Sequence, residues 1–266
     1  MTLNTLIFAV GGVAAVLTLL VGFVFKSKKN WLISFLQNYT GALFIFSGWV
    51  KAIDPLGTAY KMEQYFAEFE ATFSETLFSF LAPMFPFLAG FAIYFSVFTI
   101  VFEIVLGVML LVGSKPKFTS WAFFLLVAFF TFLTGFTYLT GYVPQGVNFF
   151  SFSEWGDYVE TNMKVTDCGC FGDFLKLKPK VSFIKDLALM VPAILFLFKH
   201  RDMHQLWTSK ARTGIVLATL AGVSLFSFSN FAWDLPGTDF RPFKNGVNIA
   251  QQLQAEQEAA ENVEII

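Results

Sequence analysis

Six apolar runs, each about long enough to cross a bilayer as a helix, dominate this sequence: Leu6–Phe25, Trp31–Ile53, Phe87–Val112, Phe118–Tyr142, Phe183–Phe198 and Thr213–Trp233. A hydrocarbon layer of roughly 30 Å needs about 20 helical residues, and in lipid only helices or closed barrels satisfy every backbone polar group internally. The runs therefore predict an all-α integral membrane protein with six transmembrane helices. Composition agrees, since 56% of the 266 residues are hydrophobic and only 14% charged, where a soluble domain carries about a quarter charged. Eighteen basic residues against nineteen acidic ones leave no surplus to neutralise phosphates, so a nucleic-acid partner is excluded. Pro192 lies near the middle of the fifth and shortest run, where a kink is expected unless a neighbouring helix satisfies the freed carbonyl.

The loops orient the runs, because Lys and Arg accumulate on the cytoplasmic side of short connections. Lys26, Lys28 and Lys29 follow the first run, Lys115 and Lys117 the third, and Lys199, Arg201, Lys210 and Arg212 the fifth. The segment after the second run carries Glu63, Glu68, Glu70 and Glu75 instead, and the segment after the fourth mixes both signs. Alternation makes the chain N-out and C-out, in a bacterial cytoplasmic membrane. Residues 1–25 lack the early basic charge and the small-residue cleavage site of a signal peptide, so they count as a helix.

Between the second and third runs, Met62, Phe66, Phe69, Phe73, Leu77 and Phe80 recur every three or four residues among Lys61, Gln64, Glu68 and Glu75. This predicts one amphipathic helix over residues 59–82, lying on the outer surface or capping the bundle. The later outer segment, residues 143–182, holds Phe149, Phe150, Phe152, Trp155 and Tyr158, rings expected at the membrane interface. It also holds both cysteines of the chain.

Those cysteines form the run Asp167-Cys168-Gly169-Cys170-Phe171-Gly172-Asp173. On an oxidising side of the membrane such a pair can persist as a disulfide. Gly169 supplies turn freedom and Gly172 frees the next step. A bridge closed over one residue removes little entropy from the unfolded chain, so it stabilises weakly, and its strain makes it easy to reduce. Thiol–disulfide exchange therefore leads over a structural bridge or idle thiols. A metal site is a remote third, because the two histidines, His200 and His204, fall in a loop on the opposite face. No metal is expected.

Ionisable residues at membrane depth form the second candidate set, each costly unless paired or facing water. Glu103 lies inside the third run, while Lys51 and Asp54 end the second and Lys185 and Asp186 open the fifth at the outer boundary. Register-fixing ion pairs, such as Lys51 with Asp186, are the expectation for these four. Glu103 reads either as a proton-handling group or as a neutral carboxyl bonded to a hydroxyl.

The run Gly41-Ala42-Leu43-Phe44-Ile45-Phe46-Ser47-Gly48-Trp49-Val50-Lys51 resembles the first helix of DoxX-like membrane proteins, and Cys168-Gly169-Cys170-Phe171-Gly172 resembles the cysteine signature of the related MauE family. The resemblance implies a four-helix core over residues 31–200, with residues 1–30 and 201–233 as added helices and residues 234–266 as an extracytoplasmic tail. It implies redox-type cysteines near the outer end of the last core helix. MauE-like proteins are associated with maturation of a periplasmic, disulfide-bearing dehydrogenase, and DoxX-like proteins with membrane oxidoreductase assemblies.

The leading expectation is a membrane thiol–disulfide exchange protein in which Cys168 and Cys170 pass reducing equivalents to or from an extracytoplasmic partner. Asp167 and Asp173 oppose a thiolate there, and the nearest cations in sequence are Lys176 and Lys178. A lipid-soluble quinone could regenerate the pair, although no residue in the sequence argues for its site. The alternative is a non-catalytic subunit or scaffold of a cell-envelope complex, using the outer helix and tail as contact surfaces. A small transporter using Glu103 is a third reading, and no repeat between the two halves supports it. Asp239-Phe240-Arg241-Pro242-Phe243 and the helix-like run Ile249–Glu261 read as an interaction arm, and the ending on Ile265 and Ile266 is compatible with a longer natural chain.

Overall fold

The fold, taken from a computed structural model, describes residues 2–74, 76–163, 165, 169–232, 246–251 and 253–254. The expectations on Glu75, Asp167, Cys168, Trp233, the run Asp239–Phe243 and most of the tail helix lie outside these residues. Among those described, the chain forms helices without strands: α1 (Leu3–Leu19, continued by a wider turn over Leu20–Val24), α2 (Trp31–Ile53), α3 (Pro55–Ser74), α4 (Met84–Ala89), α5 (Ala92–Val112), α6 (Pro116–Thr140), α7 (Pro179–Lys199) and α8 (Ser209–Ala232).

Local chemistry sets the ends. Asn30 caps α2 by accepting from Ile33 N at 3.2 Å. Asp54 then accepts from Gly57 N at 3.1 Å, with Pro55 opening α3. Proline also opens α6 and α7. Gly113 closes α5 at φ +69°, where a Cβ would stand 1.9 Å from the His204 carbonyl oxygen. Pro192 is buried inside α7, which continues through it.

α2 is the central helix. Its Gly41 and the Gly107 of α5 face each other so closely that a Cβ on either would come within 2.9 Å of the other's carbonyl oxygen. Small residues at such a crossing let two helices pack backbone to backbone, the main source of association in lipid. Leu43 and Phe44 from α2, Leu106 and Leu110 from α5, Phe123 and Val127 from α6, and Leu189 and Phe196 from α7 then share one apolar core. α1 packs on α2 and α8 on α5.

Five helices are long and apolar enough to cross a membrane: α1 with its extension, α5, α6, α7 and α8. α2 has comparable length, but Gln37, Asn38 and Lys51 interrupt its apolar run. All three are buried and bonded. The Gln37 amide donates to the carbonyls of Leu110 at 2.6 Å and His204 at 3.2 Å, and accepts from His204 N at 3.1 Å. Asn38 donates to the Thr18 hydroxyl at 3.0 Å. Polar atoms inside the bundle are met by neighbouring helices, which keeps α2 compatible with a lipid setting.

The basic connections gather at one end of the bundle. Lys29 donates to the Arg201 carbonyl at 2.9 Å, Phe25 meets Trp207 with ring centroids 5.6 Å apart, and Leu206 N donates to Val112 O at 3.0 Å. α3 and the described residues of the 141–178 segment occupy the opposite end.

The amphipathic stretch departs from its expected bounds. α3 stops at Ser74, and a short turn over Ser79–Leu81 and the separate α4 follow. The Thr76 hydroxyl donates to Phe73 O and accepts from Phe78 N, a local bonding pattern that competes with helix continuation. Leu77 is consequently 96% exposed and Phe80 73% exposed, while Phe66 packs on Phe95 of α5 and Phe69 on Phe136 of α6. α3 caps the bundle, and Phe87, expected in the third span, belongs to α4. Of the aromatic residues expected at the interface, Phe149 turns inward, 4.9 Å from Phe136 and 5.2 Å from Trp155, while Phe150, Phe152 and Tyr158 remain exposed.

Candidate functional site

Cys170 is partly buried at the end of the bundle opposite the basic connections, on a segment held from both sides. Gly169 at φ +59° and Gly172 at φ +50° adopt left-handed conformations that let the chain fold back between them. The Ser47 hydroxyl of α2 donates to the Cys170 carbonyl at 2.8 Å. Phe171 is 2% exposed and inserts into the apolar core, with Phe46 beside it at 6.3 Å between centroids. A short irregular segment thus gains a fixed address from one hydroxyl and one buried ring.

Behind Cys170 lies a cavity of about 80 Å3 between α2, α3, α5, α6 and α7. That is room for a few waters. Its charged lining is Lys51, Lys61, Glu103, Lys185 and Asp186. Lys51 donates to Glu103 at 2.6 Å with both side chains almost fully buried, and its ammonium stands 5.0 Å from the Phe130 ring. Lys185 pairs with Asp186, whose other carboxylate oxygen accepts from the Thr134 hydroxyl at 3.0 Å.

The expected cross-pair of Lys51 with Asp186 is therefore not formed. α2 lies directly against α5, which presents Glu103 to Lys51, whereas Asp186 is held by its chain neighbour and by α6. Glu103 is an ion-pair partner, in place of the hydroxyl-bonded carboxyl also considered for it. Asp54 stands apart from the cavity as the cap of α3.

Lys185 brings something the sequence did not suggest. Its ammonium lies 5.8 Å from the Phe171 ring and shares the lining of the cavity with Cys170. Cations near in sequence, Lys176 and Lys178, had been the only candidates for that role. Three ammonium groups and two carboxylates line the cavity, so the described lining carries a net positive charge that one thiolate would neutralise. Ser47, Thr134 and Lys61 were also missed as site residues. Ser47 had a usable signal, standing four residues before Lys51 and so on the same helical face. Thr134 had none.

The histidines lie at the other end. His204 is fully buried, with Nε2 2.9 Å from Leu111 O and Nδ1 without a partner among the described residues. Burial holds its pKa below the usual imidazole value, against the opposing effect of the Leu111 bond.

Residues 29–145 match the family described as methylamine utilisation protein MauE. That portion of the chain is MauE-like. The MauE-like portion contains α2 through α6, and with them Ser47, Lys51, Lys61, Glu103 and Thr134, but it ends before the cysteines, α7 and α8. The cysteine signature is thus a feature of this chain beyond the matched MauE segment. No curated protein and no solved structure matches the chain.

Proposed function

We propose that this multi-pass MauE-like membrane protein carries out thiol–disulfide exchange through Cys168 and Cys170 at the outer end of its bundle. The observation that carries the reading is that Cys170 lines one cavity with Lys51, Lys61 and Lys185, the Lys185 ammonium standing 5.8 Å from the ring of the adjoining Phe171. A thiolate is the attacking species in exchange, and a nearby ammonium favours it.

In the reducing direction, one cysteine thiolate attacks a partner disulfide, and the partner's second sulfur leaves as a thiolate. The other cysteine then displaces the mixed disulfide, so the pair gives up two electrons and two protons and the partner gains both. The gathering of the Lys26–Lys29, Lys115–Lys117 and Lys199–Arg212 connections at the far end supports an extracytoplasmic cysteine segment in a bacterial inner membrane. A periplasmic partner docked on the α3 end and the tail fits that orientation.

Intact-mass measurement across a series of defined reduced-to-oxidised glutathione ratios tests the proposal. The purified protein should lose and regain two hydrogens at one midpoint, and the Cys168→Ser variant should show no such internal step. A mass that stays constant across the series, with the protein still folded, defeats exchange and leaves a non-catalytic scaffold in an envelope complex.

A further inference from the structure

A second and larger cavity, of about 720 Å3, lies between α5 and α6 beneath α3. Its volume is in the range of small-molecule sites. Phe98 and Phe102 stack 5.8 Å apart with planes 7° from parallel on one wall, and Trp121 and Phe129 stand on the other. Phe98, Trp121 and Phe129 are 65%, 50% and 47% exposed on the flank of the bundle, so the cleft opens sideways, where lipid lies. At its inner end it shares Met62, Tyr65, Thr99, Phe129 and Leu133 with the cavity that holds Cys170, Lys51 and Glu103.

An apolar aromatic slot that ends in a charged chamber selects a molecule with a flat ring, a polar end and solubility in the bilayer. A lipid acyl chain meets the first part of the slot but offers nothing to the chamber. We infer that the cleft between α5 and α6 binds an isoprenoid quinone, with its ring toward the cavity behind Cys170. The inference rests on the exchange reading run in the oxidising direction, in which the Cys168–Cys170 disulfide takes two electrons and two protons from a partner dithiol and is left as two thiols, and it names the oxidant that restores the disulfide. Net, the Cys168 and Cys170 thiols form a disulfide, losing two electrons and two protons, and the quinone takes both and departs as quinol.

The probe is a decyl-substituted benzoquinone added to the purified full-length protein, with quenching of Trp121 fluorescence reporting binding and quinol absorbance reporting chemistry. Quenching should saturate in the wild type, should vanish from the difference signal in Trp121→Phe, and should require about tenfold more quinone in Thr99→Phe, which narrows the junction of the two cavities. Pre-reduced protein should form one quinol per cysteine pair, and Cys170→Ser should bind quinone yet form none. Linear quenching that Thr99→Phe leaves unchanged, or equal saturation by decylbenzene, overturns the quinone site and marks the cleft as a lipid groove. Glutathione cycling of the pair without saturable quenching also overturns it, while leaving the exchange reading intact. Saturable quenching without quinol keeps the quinone-binding site but overturns quinone as the oxidant of the cysteines, the exchange reading being decided by the glutathione series.

Discussion

The chemistry of this protein depends on where a few ammonium groups sit. Lys185 is the one that stands beside the Phe171 ring, in the same cavity lining as Cys170. Its replacement by methionine should slow alkylation of Cys170 at pH 7 by about tenfold and raise the pH needed for reaction, while Lys185→Arg retains most of the rate. Equal rates in all three proteins would remove Lys185 from the account. Lys51 has a different part, since its partner Glu103 is 2% exposed and would be left as an unpaired buried carboxylate without it. Lys51→Met should cost about 3–5 kcal/mol of stability, and Lys51→Met with Glu103→Leu should recover much of it. Thermal unfolding in one detergent compares the three. That Lys51, Glu103, Lys185 and Asp186 matter could be read from their apolar surroundings in the sequence. Their pairing could not, because it depends on how far α2 and α5 are rotated about each other, and the glycines at 41 and 107 set that contact without any periodic signature.

Among the elements, α2 is legible to the residue. Asn30 caps it, and Asp54 followed by Pro55 ends it, all by local bonding visible in the sequence. The end of α3 was hidden, because apolar residues keep a helical spacing through Leu77 and Phe80 while the Thr76 hydroxyl turns the chain. At the opposite end, His204 and Gln37 fasten the segment after α7 to the C-terminus of α5. With the folded pKa of His204 depressed, the native state binds fewer protons than the unfolded one. Its contribution is complete above the ordinary histidine value of about 6.5 and is lost as pH falls below it, by at most about 1.4 kcal/mol per pH unit. Unfolding temperatures measured between pH 7.5 and pH 5.5 should fall more steeply for the wild type than for His204→Gln. Parallel curves would show that His204 does not titrate on unfolding.

For the whole molecule, membrane residence and the all-helical class follow from the length of the apolar runs, and the MauE-like segment over residues 29–145 agrees with them. The second run is not among the five helices apolar enough to span by hydropathy, and its Gln37, Asn38 and Lys51 are satisfied by contacts with other helices. The bundle has two chemically distinct ends, one collecting the basic connections and the other holding Cys170 over a charged chamber. A redox role needs that second end to face an oxidising compartment and its sulfurs to change state. Labelling of intact cells with a membrane-impermeant maleimide, before and after mild reduction, measures both at once. Modification of Cys168 and Cys170 should be low in untreated cells and rise to completion after reduction, while a cysteine introduced at Lys28 stays unlabelled until the cells are opened. Protection of the Cys168–Cys170 segment in both states, or labelling only from the Lys28 side, would contradict the account.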